Sequence, residues 1–182
     1  MRSGTRFKIG LAHVAADDSE WTVEAVKQVA YQVIASADLF HPDNTQLLDG
    51  CAAAPLRPGE RRLVLIDASV DRPHGERVRR WFTRHGVRGT FVPMRANEAV
   101  KDWESVEQVI DAMNTFGIDR RREPVIVIRG GVLLDIVGLA ASLYRRGTPY
   151  IRIPTTLIGL VDAGVGVKTG VNYGNGKNRL GS

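Results

Sequence analysis

Side chains able to grip a ligand crowd the end of this chain. Asp162, Lys168, Asn172, Lys177 and Asn178 fall within the run GLVDAGVGVKTGVNYGNGKNRLGS. Ammonium groups give charge-assisted hydrogen bonds to phosphate, and amides both donate and accept. The set therefore suits a phosphorylated, hydroxyl-rich ligand. The run is glycine-rich, with no helical or strand period, so a solvated loop fits its composition equally well. Upstream, Gly130-Gly131 stand between an apolar stretch and a longer one. Glycines let a pyrophosphate approach the backbone, and a following helix would offer it free N–H groups. A plain tight turn is an equal reading, and the pattern is not the GxGxxG fingerprint. Asp67 closes another apolar run. A carboxylate there can accept from a ribose diol or cap a helix. Asp135 lies in an otherwise apolar segment and must find partners, either a helix terminus or a polar ligand. Thr155-Thr156 follow Ile153-Pro154, where a helix cap is the ordinary outcome. Glu98 and Lys101 are spaced i,i+3, where a surface ion pair is the ordinary outcome.

These residues must be held by something, and the patterning says what. Leu63 to Ile66 is a short continuous apolar run, as in a buried parallel strand. A helix follows, with Val78, Trp81 and Phe82 on one face and Gly86 closing it. Thr90 to Val92 reads as a strand and Trp103 to Phe116 as an amphipathic helix. Val125 to Ile128 is a third strand, Val132 to Tyr144 a nearly all-apolar buried helix, and Tyr150 to Ile153 a fourth strand. Strands alternating with helices predict a Rossmann-like, mostly parallel α/β sheet with helices on both faces and right-handed crossovers. Ligands of such sheets sit at the carboxyl ends of the strands. Asp67, Gly130-Gly131 and Thr155-Thr156 all fall there.

The head is less regular. Val29, Tyr31, Val33 and Ala35 alternate as in a strand, while Val26, Val29, Ala30 and Val33 fit a helix. Phe40 to Asn44 reads as a turn, with Asn44 capping a short helix through Leu47 and Leu48. Ala52 to Glu60 has the prolines and glycine of a loop. The expected organisation is a strand and loop region over residues 1–60, packed on an α/β domain over 61–182.

Composition narrows the class. The chain has 182 residues, 43% hydrophobic and 25% charged, enough for one domain with a real core. No apolar run approaches the ~20 residues that span a bilayer. A lone Cys51 suits a reducing cytoplasm and reads as a small apolar residue. The formal charge is +5, but the arginines are scattered and no basic stripe with interleaved aromatics appears. Neither a nucleic-acid nor a membrane partner is expected. His13, His41, His74 and His85 have no metal-ligand spacing.

The order of motifs then identifies a family. GGVLLD, YRRG, PTT, VD, VGVKT, VN and GKN follow one another as in the sugar-phosphate cyclase superfamily, typified by 3-dehydroquinate synthase. The resemblance covers Leu63 to Ser182 and is most specific from Val125. Within the superfamily, LLDIVGLAASLYRRGTPYIR and the LFHPDN turn resemble the 2-epi-5-epi-valiolone synthase branch. Dehydroquinate synthases usually have Gly where Leu134 stands. The desmethyl-4-deoxygadusol synthase branch shares nearly all of these features.

The resemblance carries roles with it. Asp67 would hold the adenosine ribose of NAD, favouring NAD over NADP. Glu98 and Lys101 would line its nicotinamide side. Gly130, Gly131 and Val132 would pass the pyrophosphate, with Asp135 nearby, and Thr155 and Thr156 would touch phosphate or ribose. Arg146, Asp162, Lys168, Lys177 and Asn178 would form this chain's share of the catalytic site. Asp162, Lys168 and Lys177 would also reach the cofactor. One departure stands out. The family usually has three glycines before the valine, and here the first is Arg129. A position that needs positive φ would be strained by arginine, and one that only ends a strand would tolerate it.

The resemblance implies a carbon–oxygen lyase acting on a sugar phosphate. Sedoheptulose 7-phosphate would be cyclised to 2-epi-5-epi-valiolone with loss of phosphate. NAD and a divalent metal, zinc or cobalt, would assist. The metal would sit on one Glu and two His of a C-terminal helical domain that follows the last residue here. This chain would then be the NAD-binding part of a larger enzyme, a homodimer when complete, and inactive alone. Desmethyl-4-deoxygadusol synthase, 3-dehydroquinate synthase and a non-catalytic NAD-binding fragment are the alternative readings.

Overall fold

The computed structural model describes residues 8–14, 21–26, 29–49 and 55–182. The chain separates into two compact units, Met1–Ala35 and Ser36–Ser182. The first holds an antiparallel pair, β1 (Lys8–Val14) and β2 (Trp21–Val26), with an irregularity between Leu11 and His13. Residues 29–35 form neither the strand nor the helix that the sequence suggested. Val29, Tyr31, Val33 and Ile34 are all exposed. Alternation marks a strand only where a neighbour buries one face, and here both alternating sets stay exposed.

The larger unit is built on a four-stranded parallel sheet. Its strands are β3 (Arg61–Asp67), β4 (Arg88–Met94), β5 (Val125–Ile128) and β6 (Tyr150–Ile153), in the order β4-β3-β5-β6. The period of two in side-chain direction sorts the strand residues between two cores. Val64, Ile66, Ile126 and Ile128 pack with Val78, Trp81 and Phe82 of α2 (Ala68–Arg84). Leu63, Leu65, Val125 and Val127 pack with α3 (Trp103–Phe116) and α4 (Gly131–Leu143). The sheet is thus covered on both faces, as its apolar strands require.

Residues 36–60 are part of this larger unit, because Leu47 and Leu56 are buried in the α2 core. Leu47 belongs to a four-residue turn of helix, α1 (Gln46–Asp49). Asn44 starts it as expected, accepting from the Gln46 N–H at 2.9 Å, and the Trp81 indole donates to the Asn44 carbonyl. Residues 55–60 have no regular structure beyond a turn, as a loop should. Residues 50–54, with Cys51, lie outside the described residues. Gly117 closes α3 in the left-handed region at φ 64°.

The glycine-rich end is more ordered than its composition suggested. Gly159–Ala163 forms a π-helical turn, and β7 (Gly170–Tyr173) pairs antiparallel with β8 (Gly176–Gly181). Gly174 takes φ 54° at the turn between these strands.

Strand order decides where a ligand can enter. From β3 the chain moves to β4 on one side, then returns over β3 to β5 and on to β6. The direction of winding therefore reverses between β3 and β5. Their carboxyl ends flank the crevice where open α/β sheets bind ligands.

Candidate cofactor and substrate site

Asp67 ends β3 and Arg129 follows β5, so both stand at this switch point. Asp67 is 3% exposed. Its Oδ1 accepts from the Ser69 N–H at 2.7 Å and from the Ser69 hydroxyl, which caps α2. Its Oδ2 lies 3.1 Å from Arg129 Nη1. Arg129 carries no backbone strain, since it is not among the positive-φ residues. Its N–H donates to Ile153 O and its carbonyl accepts from the Thr155 N–H, which extends the β5–β6 ladder by one residue. Arginine is tolerated where the family usually has glycine, because this position ends a strand.

Gly130 is the residue that must be small. A Cβ there would lie 2.8 Å from Thr156 Oγ1. At Gly131 the space is ordinary, with Ala163 Cβ at 3.7 Å. Gly130 is also the N-cap of α4, and it supplies no side-chain cap. The other long helices begin under carboxylates, Asp67 on α2 and Asp102 on α3. Among the described residues, the first N–H groups of α4, from Gly131 and Val132 on, therefore have no side-chain cap, and they stand beside the strand ends. That is the arrangement an anionic group completes.

Thr155 and Thr156 are exposed beside this turn. Thr156 Oγ1 accepts from the Gly159 N–H at 3.1 Å, which starts the π-helical turn. Arg152, in the middle of β6, fastens the far end of the same loop. It donates to Ala163 O at 2.8 Å and to Gly166 O at 2.5 Å. Arg152 escaped the sequence reading, although an arginine inside an apolar strand is itself a signal that something across the strand must be held.

A second cluster forms one turn into α4. Lys101 is buried, with Nζ 2.6 Å from Asp135 Oδ2 and 2.7 Å from Asn178 Oδ1. The expected surface pair of Glu98 with Lys101 does not form. Asn97 caps a short 3-10 turn over Glu98–Val100 and thereby turns Lys101 inward. Glu98 stays outside and accepts from Asn172 Nδ2 at 3.1 Å. Asn172 Oδ1 in turn accepts from the Asn178 N–H, and the Asn172 N–H donates to Lys101 O. The β7–β8 hairpin is thus laced onto the 98–101 turn, and Asn178 is held at φ 49°. Burial raises the Asp135 carboxyl above the ordinary carboxylate range. Lys101 opposes that rise, while the negative charges of Asp162 and Glu98 add to it.

Asp162, Lys168 and Lys177 are exposed at the rim of this region. The electrostatic reach of Asp162 to Asp135 ties it to the cluster. Arg146 is not brought here. It lies past the other end of α4, exposed and left-handed at φ 65°, at the amino ends of the strands. The structure gathers Asp67, Gly130, Gly131, Val132, Thr155 and Thr156 at one edge of the crevice. It gathers Glu98, Lys101, Asp135 and Asn178 at the other, and it leaves Arg146 out. Among the described residues no three His, Cys, Asp or Glu side chains converge on a metal position. His41 accepts from the Asp43 N–H, and His85 lies against Trp81.

Residues 91–182, half of the chain, match the family model of the 3-dehydroquinate synthase N-terminal region. The chain belongs to this family. Among curated relatives, the 2-epi-5-epi-valiolone synthase of Actinoplanes sp. is 50% identical over 170 residues, which is 93% of this chain and 42% of that protein. The demethyl-4-deoxygadusol synthase of Trichormus variabilis is 37% identical over 171 residues, 94% of this chain and 40% of that protein. The solved 2-epi-5-epi-valiolone synthase of Streptomyces hygroscopicus subsp. jinggangensis, with NAD+ and Zn2+ bound, superposes with a TM-score of 0.81 at 49% identity. That match covers 89% of this chain and 42% of that one. The chain thus spans about two-fifths of the length of these relatives.

Proposed function

We propose that this chain is the dinucleotide-binding part of a 2-epi-5-epi-valiolone synthase, which cyclises sedoheptulose 7-phosphate with loss of phosphate. The observation that carries the reading is the uncapped N-terminus of α4 behind Gly130, at the switch point of the sheet. The 50% identity with the Actinoplanes valiolone synthase, against 37% with the demethyl-4-deoxygadusol synthase, favours that branch.

NAD, when bound, supplies the reversible removal of a hydride from a substrate carbinol. The chain's own part is positioning and charge. The N–H groups of Gly131 and Val132 hold the pyrophosphate, and Thr155 and Thr156 offer hydroxyls beside it. Lys101, Asp135 and Asn178 form a fixed polar wall against the nicotinamide side, with Glu98 at its edge. Lys168 and Lys177 are exposed at the rim, where ammonium groups can meet an arriving phosphate. Asp162 lies near enough to bias the protonation of Asp135. Among the described residues no three His, Cys, Asp or Glu side chains would hold a divalent metal. Arg146 stands too far along α4 to act at this crevice of its own chain. A homodimer and a reducing cytoplasmic location belong to the same reading, the latter supported by the single Cys51.

The test joins this chain to the C-terminal remainder of the Actinoplanes relative and supplies sedoheptulose 7-phosphate, NAD and zinc. Expected products are 2-epi-5-epi-valiolone and inorganic phosphate. Demethyl-4-deoxygadusol as the product would assign the other branch. NAD binding without turnover would favour a non-catalytic fragment.

A further inference from the structure

Asp67, which the resemblance would set against the ribose, does not stand alone at the end of β3. The Asp67 side chain is 4% exposed, whereas that of Arg129, lying over it, is 23% exposed. Oδ1 is taken by Ser69, and Oδ2 faces the guanidinium. A ligand arriving between β3 and β5 therefore meets a cation before it meets the acid. Arg129 Nη1 is buried and has no aligned hydrogen-bond acceptor, even with Asp67 at 3.1 Å. Nη1 faces Asp67, and the part of the Arg129 side chain that stays exposed is what a ligand meets.

We propose that Arg129 sets cofactor specificity at the adenosine end of the crevice, making it tolerant of a phosphate on the ribose 2′ position. This deepens the dinucleotide-binding reading above and rests on it. A bare acidic residue at this place repels a 2′-phosphate, and an arginine nearby accommodates one. Here both are present, the pair is neutral, and the group on the ligand side is the arginine. Its planar fork of donors matches phosphate oxygens, which a lone ammonium would not do as well. The residue normally expected at this position, glycine, supplies no charge. The usual acid would then act alone.

The experiment is calorimetry of the 182-residue chain with NAD and with NADP, on wild type, Arg129→Gly and Arg129→Gln. Glutamine keeps a donor beside buried Asp67 while removing the charge, so a loss of folding in Arg129→Gly does not end the test. Thermal unfolding of each variant is recorded alongside. In wild type the two dinucleotides should bind within about threefold of each other. Either variant should weaken NADP by about tenfold or more while leaving NAD nearly unchanged, the size of one charge-assisted contact to phosphate. Strong preference for NAD in wild type, unaltered by either variant, overturns the proposal and leaves the dinucleotide reading standing. Equal weakening of both cofactors also overturns it, because Arg129 would then touch the shared pyrophosphate. Failure of both to bind wild type removes the dinucleotide reading and this proposal together.

Discussion

Lys101 shows best how a single residue came to sit where it does. Its spacing from Glu98 looked like a surface pair, yet it is buried on Asp135 and Asn178. Replacing it by methionine should keep much of the packing and strand the Asp135 carboxylate. Losing one partner of such a pair should cost about 3 kcal/mol in denaturant titration. The pH dependence gives a second check. The folded Asp135 carboxyl is raised, so its contribution to stability is complete below the ordinary value of roughly 3.9. That contribution is lost as pH rises through the raised folded value. Without Lys101 the folded value rises further, so Lys101→Met should lose stability with pH over a wider window than wild type. Parallel pH curves for the two proteins would disprove the coupling. At the rim, Lys168 is exposed and bears on substrate only if the site reading is right. In the completed chimera, Lys168→Ala should lower kcat/KM by about tenfold, or 1.4 kcal/mol. Arg80→Ala removes the same charge from an exposed face of α2 and should leave kcat/KM unchanged. Equal kinetics for the two variants would return the C-terminal run to a solvated loop.

Among the elements, the β5–α4 corner is the most constrained. Gly130 touches Thr156, and Thr156 starts the π-helical turn that Arg152 fastens from β6. Gly130→Ala forces its Cβ to within 2.8 Å of a hydroxyl that is already engaged. The loop must shift, so NAD affinity in calorimetry should fall about tenfold or more, with a stability loss of about 1–3 kcal/mol for the overpacking. Gly131→Ala meets only an ordinary contact and should be far milder. Equal effects at the two glycines would show that Thr156 gives way freely. The β7–β8 hairpin is the other element that matters, since Asn172 and Asn178 lace it to the 98–101 turn.

Across the whole molecule, the described residues carry one rim of a site. Leu157, Ile158, Val161 and Val167 are each at least 60% exposed on the loop beside the crevice. No described cluster can hold a metal, and the chain matches about two-fifths of its relatives' length. By itself, the 182-residue chain should bind NAD but release no phosphate from sedoheptulose 7-phosphate with NAD and zinc present. A phosphate assay above the enzyme-free rate would mean that these residues suffice for turnover.

The sequence by itself determined the sheet and its helices. Val125 to Ile128, Trp103 to Phe116 and Tyr150 to Ile153 are found with the bounds their patterns give, because burial on one or both faces is written directly in apolar period. Motif order likewise determined the family, since ordered short motifs need no geometry to be read. Tertiary structure alone decided which polar groups meet. Lys101 reaches Asp135 across 34 positions because a 3-10 turn points it at α4. Arg129 covers Asp67 because strand order makes β3 and β5 neighbours. Arg146 is parted from Gly131 by the full length of one helix. Partnerships of this kind depend on which strand ends lie side by side, and no local pattern of residue types encodes that.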